Sequence, residues 1–249
     1  NIQLIQSQKI ASIGRMAAGV AHEINNPLSG ILIYTELLKE TLKDRPECLK
    51  DLQEIIDQTL RCKRIASELL EFSRKSAGKI TSFSLDDLIS KCLALLINKA
   101  SFQNIEVSTE VDPRMPNLVG DMSQLQQVFT NLFINAADAM EGKGKLHIRA
   151  AFDPDRSLFV IRVADTGPGI PQECRDKIFD IFFTTKPAGK GTGLGLSVSQ
   201  NILKIHGGRI AFDCPPEGGT VFTVELPVSH PGLSSEGGVF IGEEPVFVE

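Results

Sequence analysis

The chain has 249 residues, 42% apolar and 23% charged, and its 26 basic and 31 acidic side chains leave a formal net charge of −5. This is ordinary globular composition and excludes a mostly disordered chain, while the mild acidity excludes a chain-wide basic field for holding nucleic acid or an anionic membrane. Cysteines at 48, 62, 92, 174 and 214 form no C-x-x-C pair, which disfavours a disulfide framework or zinc cluster and fits a reducing compartment. No run reaches the roughly 18 apolar residues of a membrane span, no signal-peptide layout is present, and the chain starts without Met in helical register, as if a segment preceded it.

Ile13, Ala17, Val20, Ile24, Leu28, Ile31, Leu38 and Leu42 fall mostly three or four apart, the stripe of a long helix. After a break at Lys43-Asp44-Arg45-Pro46, a second stripe runs Leu52, Ile55, Thr59, Cys62, Ala66, Leu69. Two long amphipathic helices make a hairpin with too little to pack against, so a homodimer with a four-helix core is expected. Ser73 to Thr81 reads as a linker. Beyond it, Ser84 with Asp87 three residues on caps a helix expected to reach Ala100, and Ile105–Val111 alternates as a strand. A helix is expected over Ser123–Met140, strands at Leu146–Phe152, Leu158–Ala164, Arg209–Phe212 and Thr220–Leu226, and helical stretches at Pro171–Phe179 and Gly193–His206. A sheet with helices on one face would hold them. The expected division is a helical hairpin over 1–76, an α/β domain over 77–228, and a tail of no assignable role over 229–249.

Within the first stripe, His22 lies between Val20 and Ile24 and at about 100° per residue points some 200° from each, toward solvent. Glu23 adjoins it, Asn26 follows one turn later, and Pro27 is expected to interrupt the helix there. A lone helical histidine is ordinarily a surface residue. Here the cluster suits nucleophilic chemistry: a neutral ring nitrogen attacks while a carboxylate orients the other N–H. Asn26 would position a water for the reverse reaction.

Further on, Gln127, Asn131, Asn135 and Asp138 share one helical face. Neutral amide oxygens suit a hard cation such as Mg²⁺ shared with a nucleotide's phosphates, although an exposed polar face is the plainer reading. Asp165-Thr-Gly167-Pro-Gly169 follows an apolar strand, where a carboxylate can accept from adenine's exocyclic amine and the glycines let backbone approach the base. No second Asp-Thr-Gly exists to make an aspartic protease. Gly189-Lys-Gly191-Thr192-Gly193-Leu194-Gly195 opens a helix and offers backbone amides to phosphate. It lacks the Gly-Lys-Ser/Thr ending of a P-loop and the acidic residue of a Rossmann site. Lys186 and Lys190 flank the loop, Ile178–Phe183 is aromatic enough for a hinged cover, and Thr220 opens the last strand within reach of a base edge.

Taken together, these segments resemble the sensor histidine kinases of two-component signalling over about residues 9 to 227. AAGVAHEINNPLSGIL is similar to the phosphoacceptor motif, QQVFTNLFINAADAM to the asparagine motif, DTGPGIP and GKGTGLGLSVSQNILKIHGG to the two glycine motifs, FDIFFTTK to the phenylalanine motif, and GGTVFTVELP to the closing strand. The HEINNPL form, with NAADAM and FFTTK, resembles the nitrogen-regulation type. The resemblance implies an α+β fold, a dimerising helical hairpin followed by the α/β sandwich of GHKL ATPases. It implies His22 as phosphoacceptor, Glu23 as its acid/base partner and Asn26 as the group for dephosphorylating a response regulator. Asn135 would be a principal Mg²⁺ ligand with Asn131 beside it on metal or phosphate, Asp165 would meet the adenine amine with Thr220 nearby, and Asp138, Gly167, Gly169, Lys186, Gly191, Thr192, Gly193, Leu194 and Gly195 would complete the ATP pocket. The implied reaction is autophosphorylation of His22 by ATP, then transfer to an aspartate of a response regulator's receiver domain, in the cytoplasm, whether the full-length protein is soluble or membrane-anchored, with neither nucleic acid nor membrane as partner. Two other readings stay open: a GHKL ATPase driving conformational change, and a dimeric nucleotide-binding scaffold without turnover.

Overall fold

The computed structural model describes residues 24–73, 79–112, 114–187, 191–229 and 231, excepting the side chains of 64 and 67–73. The predictions on His22, Glu23, Gly189, Lys190 and the tail from 232 lie outside these residues. The chain forms two units, one drawn from 1–77 with 173–198, the other from 78–172 with 199–249. Among the described residues no helix is long and apolar enough to cross a membrane.

In the first unit, helix α1 covers residues 24–41 and helix α2 Pro46–Ser73. Pro46 starts α2, where its missing N–H costs no helical bond and its fixed φ favours the turn. Pro27 falls in the first described turn of α1, and the turn before it, where an interruption is expected, lies outside the described residues. The predicted stripe of α2 is met at Leu52, Thr59 and Ala66 and missed at Ile55 and Cys62, with Ile56 buried instead. Thr35 in α1 and Leu52, Ile56, Thr59 and Ala66 in α2 are buried, whereas Ile31, Leu38 and Ile55 are 43%, 48% and 45% exposed and Cys62 is exposed too. Each buried threonine satisfies its hydroxyl on its own helix, Thr35 donating to the Ile31 carbonyl and Thr59 to that of Ile55, both at 2.7 Å. This lets a polar residue sit in an apolar seam without an unmet bond.

The second unit is built on a five-stranded sheet. Its strands are β2 (Asn104–Val111), β4 (Lys143–Asp153), β5 (Leu158–Asp165), β6 (Arg209–Asp213) and β7 (Thr220–Pro227), in the order β2-β4-β5-β7-β6. Only the β2–β4 pairing is parallel. The sequence reading missed two four-residue strands, β1 (Ile80–Phe83) and β3 (Leu118–Asp121), which pair antiparallel with each other; β1 takes the last two residues of the expected linker. Helix α3 (Leu85–Ala94) is capped by Ser84, whose hydroxyl accepts from the Asp87 N–H, but ends six residues before the expected Ala100 in a turn and a 3-10 segment. The predicted helical stretch at Pro171–Phe179 is a 3-10 turn, Gln172–Lys177.

Helix α4 (Met122–Ala139) carries the core, with Leu125, Val128, Phe129, Leu132 and Phe133 fully buried against β4, β5 and α3. Facing them, Leu146, Ile148, Phe159 and Ile161 are fully buried on the sheet. Each such side chain contributes about 1.5–3 kcal/mol, so the apolar face of α4 is fixed and its polar face is turned outward. Asp121 caps α4, its Oδ1 accepting from the N–H groups of Ser123 and Gln124 at 3.0 and 3.2 Å.

The last helix, α5 (Gly195–Ile205), is tied at its C-terminal end to the start of α4 by His206, which is 3% exposed. The imidazole Nε2 accepts the Asp121 backbone N–H at 3.1 Å and Nδ1 lies 2.8 Å from the Ile202 carbonyl, which fixes the neutral ring with its proton on Nδ1. Replacing His206 by Ala leaves a cavity and a buried, unmet Asp121 N–H. A loss of about 2–4 kcal/mol is expected in urea unfolding, and a loss under 1 kcal/mol would show the tie to be dispensable.

Candidate functional site

On the outward face of α4, Gln127, Asn131 and Asn135 are half-buried and Asp138 is exposed. The core contacts of the opposite face leave these side chains no freedom to rotate inward. Asn131 is held further: its Nδ2 donates to the Ser199 hydroxyl on α5 at 3.0 Å. The donor set on this face is amide and carboxylate oxygen, which suits a hard cation. Among the described residues no cluster of His, Cys, Asp or Glu is arranged to hold a metal, so a cation here would rest on the asparagines.

At the C-terminal end of β5, Asp165 is 8% exposed and pairs in register with Thr220, the first residue of β7 and itself 4% exposed. Its Oδ1 accepts two backbone N–H groups, from Gly167 at 2.9 Å and Thr220 at 3.2 Å. Both bonds end on Oδ1, so Oδ2 is the atom left to meet an amine. Burial raises the carboxyl pKa above the ordinary value, and the two N–H groups act in the opposite sense. The turn is locked from the other side, where the Gly219 N–H donates to the Gly167 carbonyl at 2.9 Å. Gly219 sits at φ 86°, and a Cβ there would strike the Asp165 carbonyl oxygen. Cys214 also braces this turn, its sulfur accepting the Ile170 N–H at 3.4 Å close to Gly169.

The glycine loop belongs to the first unit. Phe182 adopts φ 69° and is 59% exposed, and its N–H donates to the Gly193 carbonyl at 2.9 Å. Behind it Ile178 is buried, so the aromatic stretch is anchored at one end and exposed at the other. Lys186 packs its stem beside Gly191, where a Cβ would meet the Thr184 hydroxyl at 2.7 Å and the lysine Cδ at 3.1 Å. The Thr192 hydroxyl accepts from the Leu194 N–H at 3.4 Å, and Leu194 is 1% exposed, pinning the loop where it enters α5 at Gly195. The first amides of α5 lack helical partners and point off the helix end, the arrangement that receives phosphate.

Gly193, at φ 69°, is required on two counts, since a Cβ would also run into the Phe182 backbone. Gly193→Ala is expected to cost about 1–2 kcal/mol in the loop for the left-handed conformation alone. Faster limited proteolysis within 180–195 and at least tenfold weaker nucleotide binding should follow; unchanged cleavage and affinity would show that the loop tolerates a side chain.

The structure therefore gathers Asp165, Gly167, Gly169 and Thr220 at one turn, places Asn131, Asn135 and Asp138 on one helical face, and sets Lys186 with Gly191–Gly195 on one loop. Asn26 is exposed on α1. Sequence reasoning missed Ser199, His206 and Cys214, each of which acts on a residue distant in the chain.

Residues 12–78 match the His Kinase A (phospho-acceptor) domain family and residues 120–230 the histidine kinase-, DNA gyrase B- and HSP90-like ATPase family. The sensor kinase CckA of Brucella abortus (strain 2308) is 34% identical over 90% of this chain and 25% of its own length. The chain spans between 25% and 37% of the length of this and two further curated relatives. Among solved structures, the catalytic domain of histidine kinase ThkA is 35% identical with a TM-score of 0.54, covering 60% of this chain and 96% of that one. ThkA in complex with the response regulator protein TrrA is 32% identical with a TM-score of 0.65, covering 90% of this chain and 64% of that one. With a phosphoacceptor-type hairpin, an ATPase-type sheet unit and relatives that carry both, the chain belongs to the sensor histidine kinases of two-component signalling.

Proposed function

We propose that this chain phosphorylates itself on His22 with ATP and passes the phosphoryl group to an aspartate of a response regulator's receiver domain, with the reverse phosphatase reaction assisted by Asn26. The observation that carries the reading is the Asp165 carboxylate, buried at a strand end with one oxygen held by two backbone N–H groups and the other left for adenine's amine. We assign the phosphoacceptor hairpin to 1–76, ATP binding to 77–228 and no role to 229–249. The family match supports the class as a whole; the nitrogen-regulation type rests on the HEINNPL form with NAADAM and FFTTK.

Phosphoryl transfer asks a protein mainly for positioning and charge neutralisation. The glycine-loop amides and Lys186 meet phosphate, and Asn135 with Asn131 would hold Mg²⁺, which when bound neutralises phosphate charge. The His22 ring nitrogen forms the N–P bond as the bond from the γ-phosphorus to ADP oxygen breaks, and Glu23 steadies the ring's other N–H. The requirement for ATP and a receiver protein places this part of the molecule in the cytoplasm. A homodimer is supported by the flank of the hairpin: Ile24, Ile31 and Leu38 on α1 and Ile55 on α2 are 40–48% exposed beside the buried seam, and a second hairpin would cover them.

Incubation with γ-labelled ATP and Mg²⁺ tests the reading. Label on the protein that is lost in acid and kept in base is expected. Phosphate release without protein label would favour a GHKL ATPase, and nucleotide binding with neither would favour a scaffold.

A further inference from the structure

We infer that Ser199 is a positioning residue for the cation site, holding the NH₂ of Asn131 toward α5 so that its carbonyl oxygen is the branch left for the metal; the inference rests on the reading of Asn131 proposed above. A primary amide presents an acceptor and a donor on opposite branches of one plane, and a rotation of 180° about the last side-chain bond exchanges them. A cation needs the oxygen. Half-buried on the rigid face of α4, Asn131 is restrained in its inner torsions by helix packing, but not in that last rotation. The Ser199 hydroxyl accepts from Nδ2 at 3.0 Å, which holds the NH₂ branch toward α5 and leaves Oδ1 turned away from it.

Ser199 can do this because it cannot move. It is 1% exposed, and α5 is held to the start of α4 by the His206 bond to the Asp121 N–H, two turns further along. The two side-chain bonds thus brace α5 on α4, one at the cap and one at the asparagine. Groups of this kind, which touch a ligand's ligand, typically change metal affinity by about 10–100-fold when removed.

The test measures affinity for the β,γ-imido analogue of ATP by calorimetry, in EDTA and across a Mg²⁺ titration, so no turnover is needed. Ser199→Ala and Ser199→Cys are both made; the cysteine fills the same space with a much weaker acceptor, and keeps the test valid where the alanine cavity unfolds the protein. The expected result is about a tenfold loss of the Mg²⁺-dependent gain in affinity in both variants, with affinity in EDTA unchanged. Asn131→Ala should show a similar loss, and adding Ser199→Ala to it should cost nothing more. Equal weakening with and without Mg²⁺ would make Ser199 a packing residue and overturn the inference. Full Mg²⁺ dependence in the serine variants alongside loss in Asn131→Ala would also overturn it, while leaving Asn131 in the site. Unchanged Mg²⁺ dependence in Asn131→Ala would remove both, and failure of the unaltered protein to bind the analogue at all would defeat the nucleotide reading itself.

Discussion

Replacing Asp165 by Asn is expected to weaken binding of an ATP analogue by about a hundredfold or more while leaving the fold at least as stable. The substitution keeps the shape and keeps an oxygen where Oδ1 now accepts from Gly167 and Thr220. Those two bonds hold Asn in one orientation, which points its NH₂ along the direction of the present Oδ2. A donor then faces the adenine amine, also a donor. A charge-assisted bond of about 1.5–3 kcal/mol is lost and an unfavourable contact replaces it. Folding responds the other way. Burial raises the Asp165 pKa in the folded state, so the charged form is disfavoured there; the stability linked to this group is full below its unfolded pKa and is lost as pH rises through the folded one. At neutral pH the carboxylate is a net cost that Asn removes. Binding should accordingly fade, as pH falls, at a higher pH than a solvated aspartate would dictate. Calorimetry and thermal unfolding of Asp165→Asn check both halves: unchanged affinity would take Asp165 out of the adenine site, and a large loss of melting temperature would mean the charge supports the turn.

The elements legible in the sequence were those whose signal is local. The strands from Lys143 to Asp165 alternate in and out with period two, and Ser84 and Asp87 announce a cap four residues wide, so both are found where expected. What failed was whatever depends on a partner far along the chain. Strands β1 and β3 are four residues each, and they exist because Ile80–Phe83 finds Leu118–Asp121; alone, neither is long enough to show a period. Helix α3 stops at Ala94 although the buried Leu96 continues the apolar face of Leu88 and Cys92 at helical spacing, so the local pattern carries no sign of the end. In the hairpin, Ile55 and Ile56 are equally apolar, and only the packing of α1 against α2 decides that Ile56 is the buried one. The site follows the same division. Its glycine turns and asparagine face are short motifs whose chemistry can be read from spacing. Ser199 and His206 meet their partners across 68 and 85 residues, and nothing in the local pattern of α5 distinguishes Ser199 from Ser197, which spends its hydroxyl on the Leu194 carbonyl.

His22→Gln carries the second large effect: no label from γ-labelled ATP should be retained on the protein, while affinity for the nucleotide analogue and the melting temperature stay within error of the unaltered chain. Glutamine keeps the length and polarity of the side chain but offers an amide nitrogen whose lone pair is delocalised, so it cannot form the N–P bond. Nothing else in the proposal requires the imidazole. The proposal has the nucleotide read by Asp165 and the glycine loop, which are remote from His22 in the chain, and a residue that the sequence places on the outward side of a helical stripe should carry little of the core's energy. The prediction therefore separates acceptor from binder. Acid-labile label on His22→Gln would show that another histidine receives the phosphoryl group. Of the other three histidines, His206 is buried with both ring nitrogens engaged, the half-exposed His147 has its Nδ1 2.8 Å from the Ser108 hydroxyl, and His230 lies outside the described residues. Loss of nucleotide binding together with label would instead show that His22 supports the fold or the pocket, and the roles assigned to Glu23 and Asn26 beside it would fall with it.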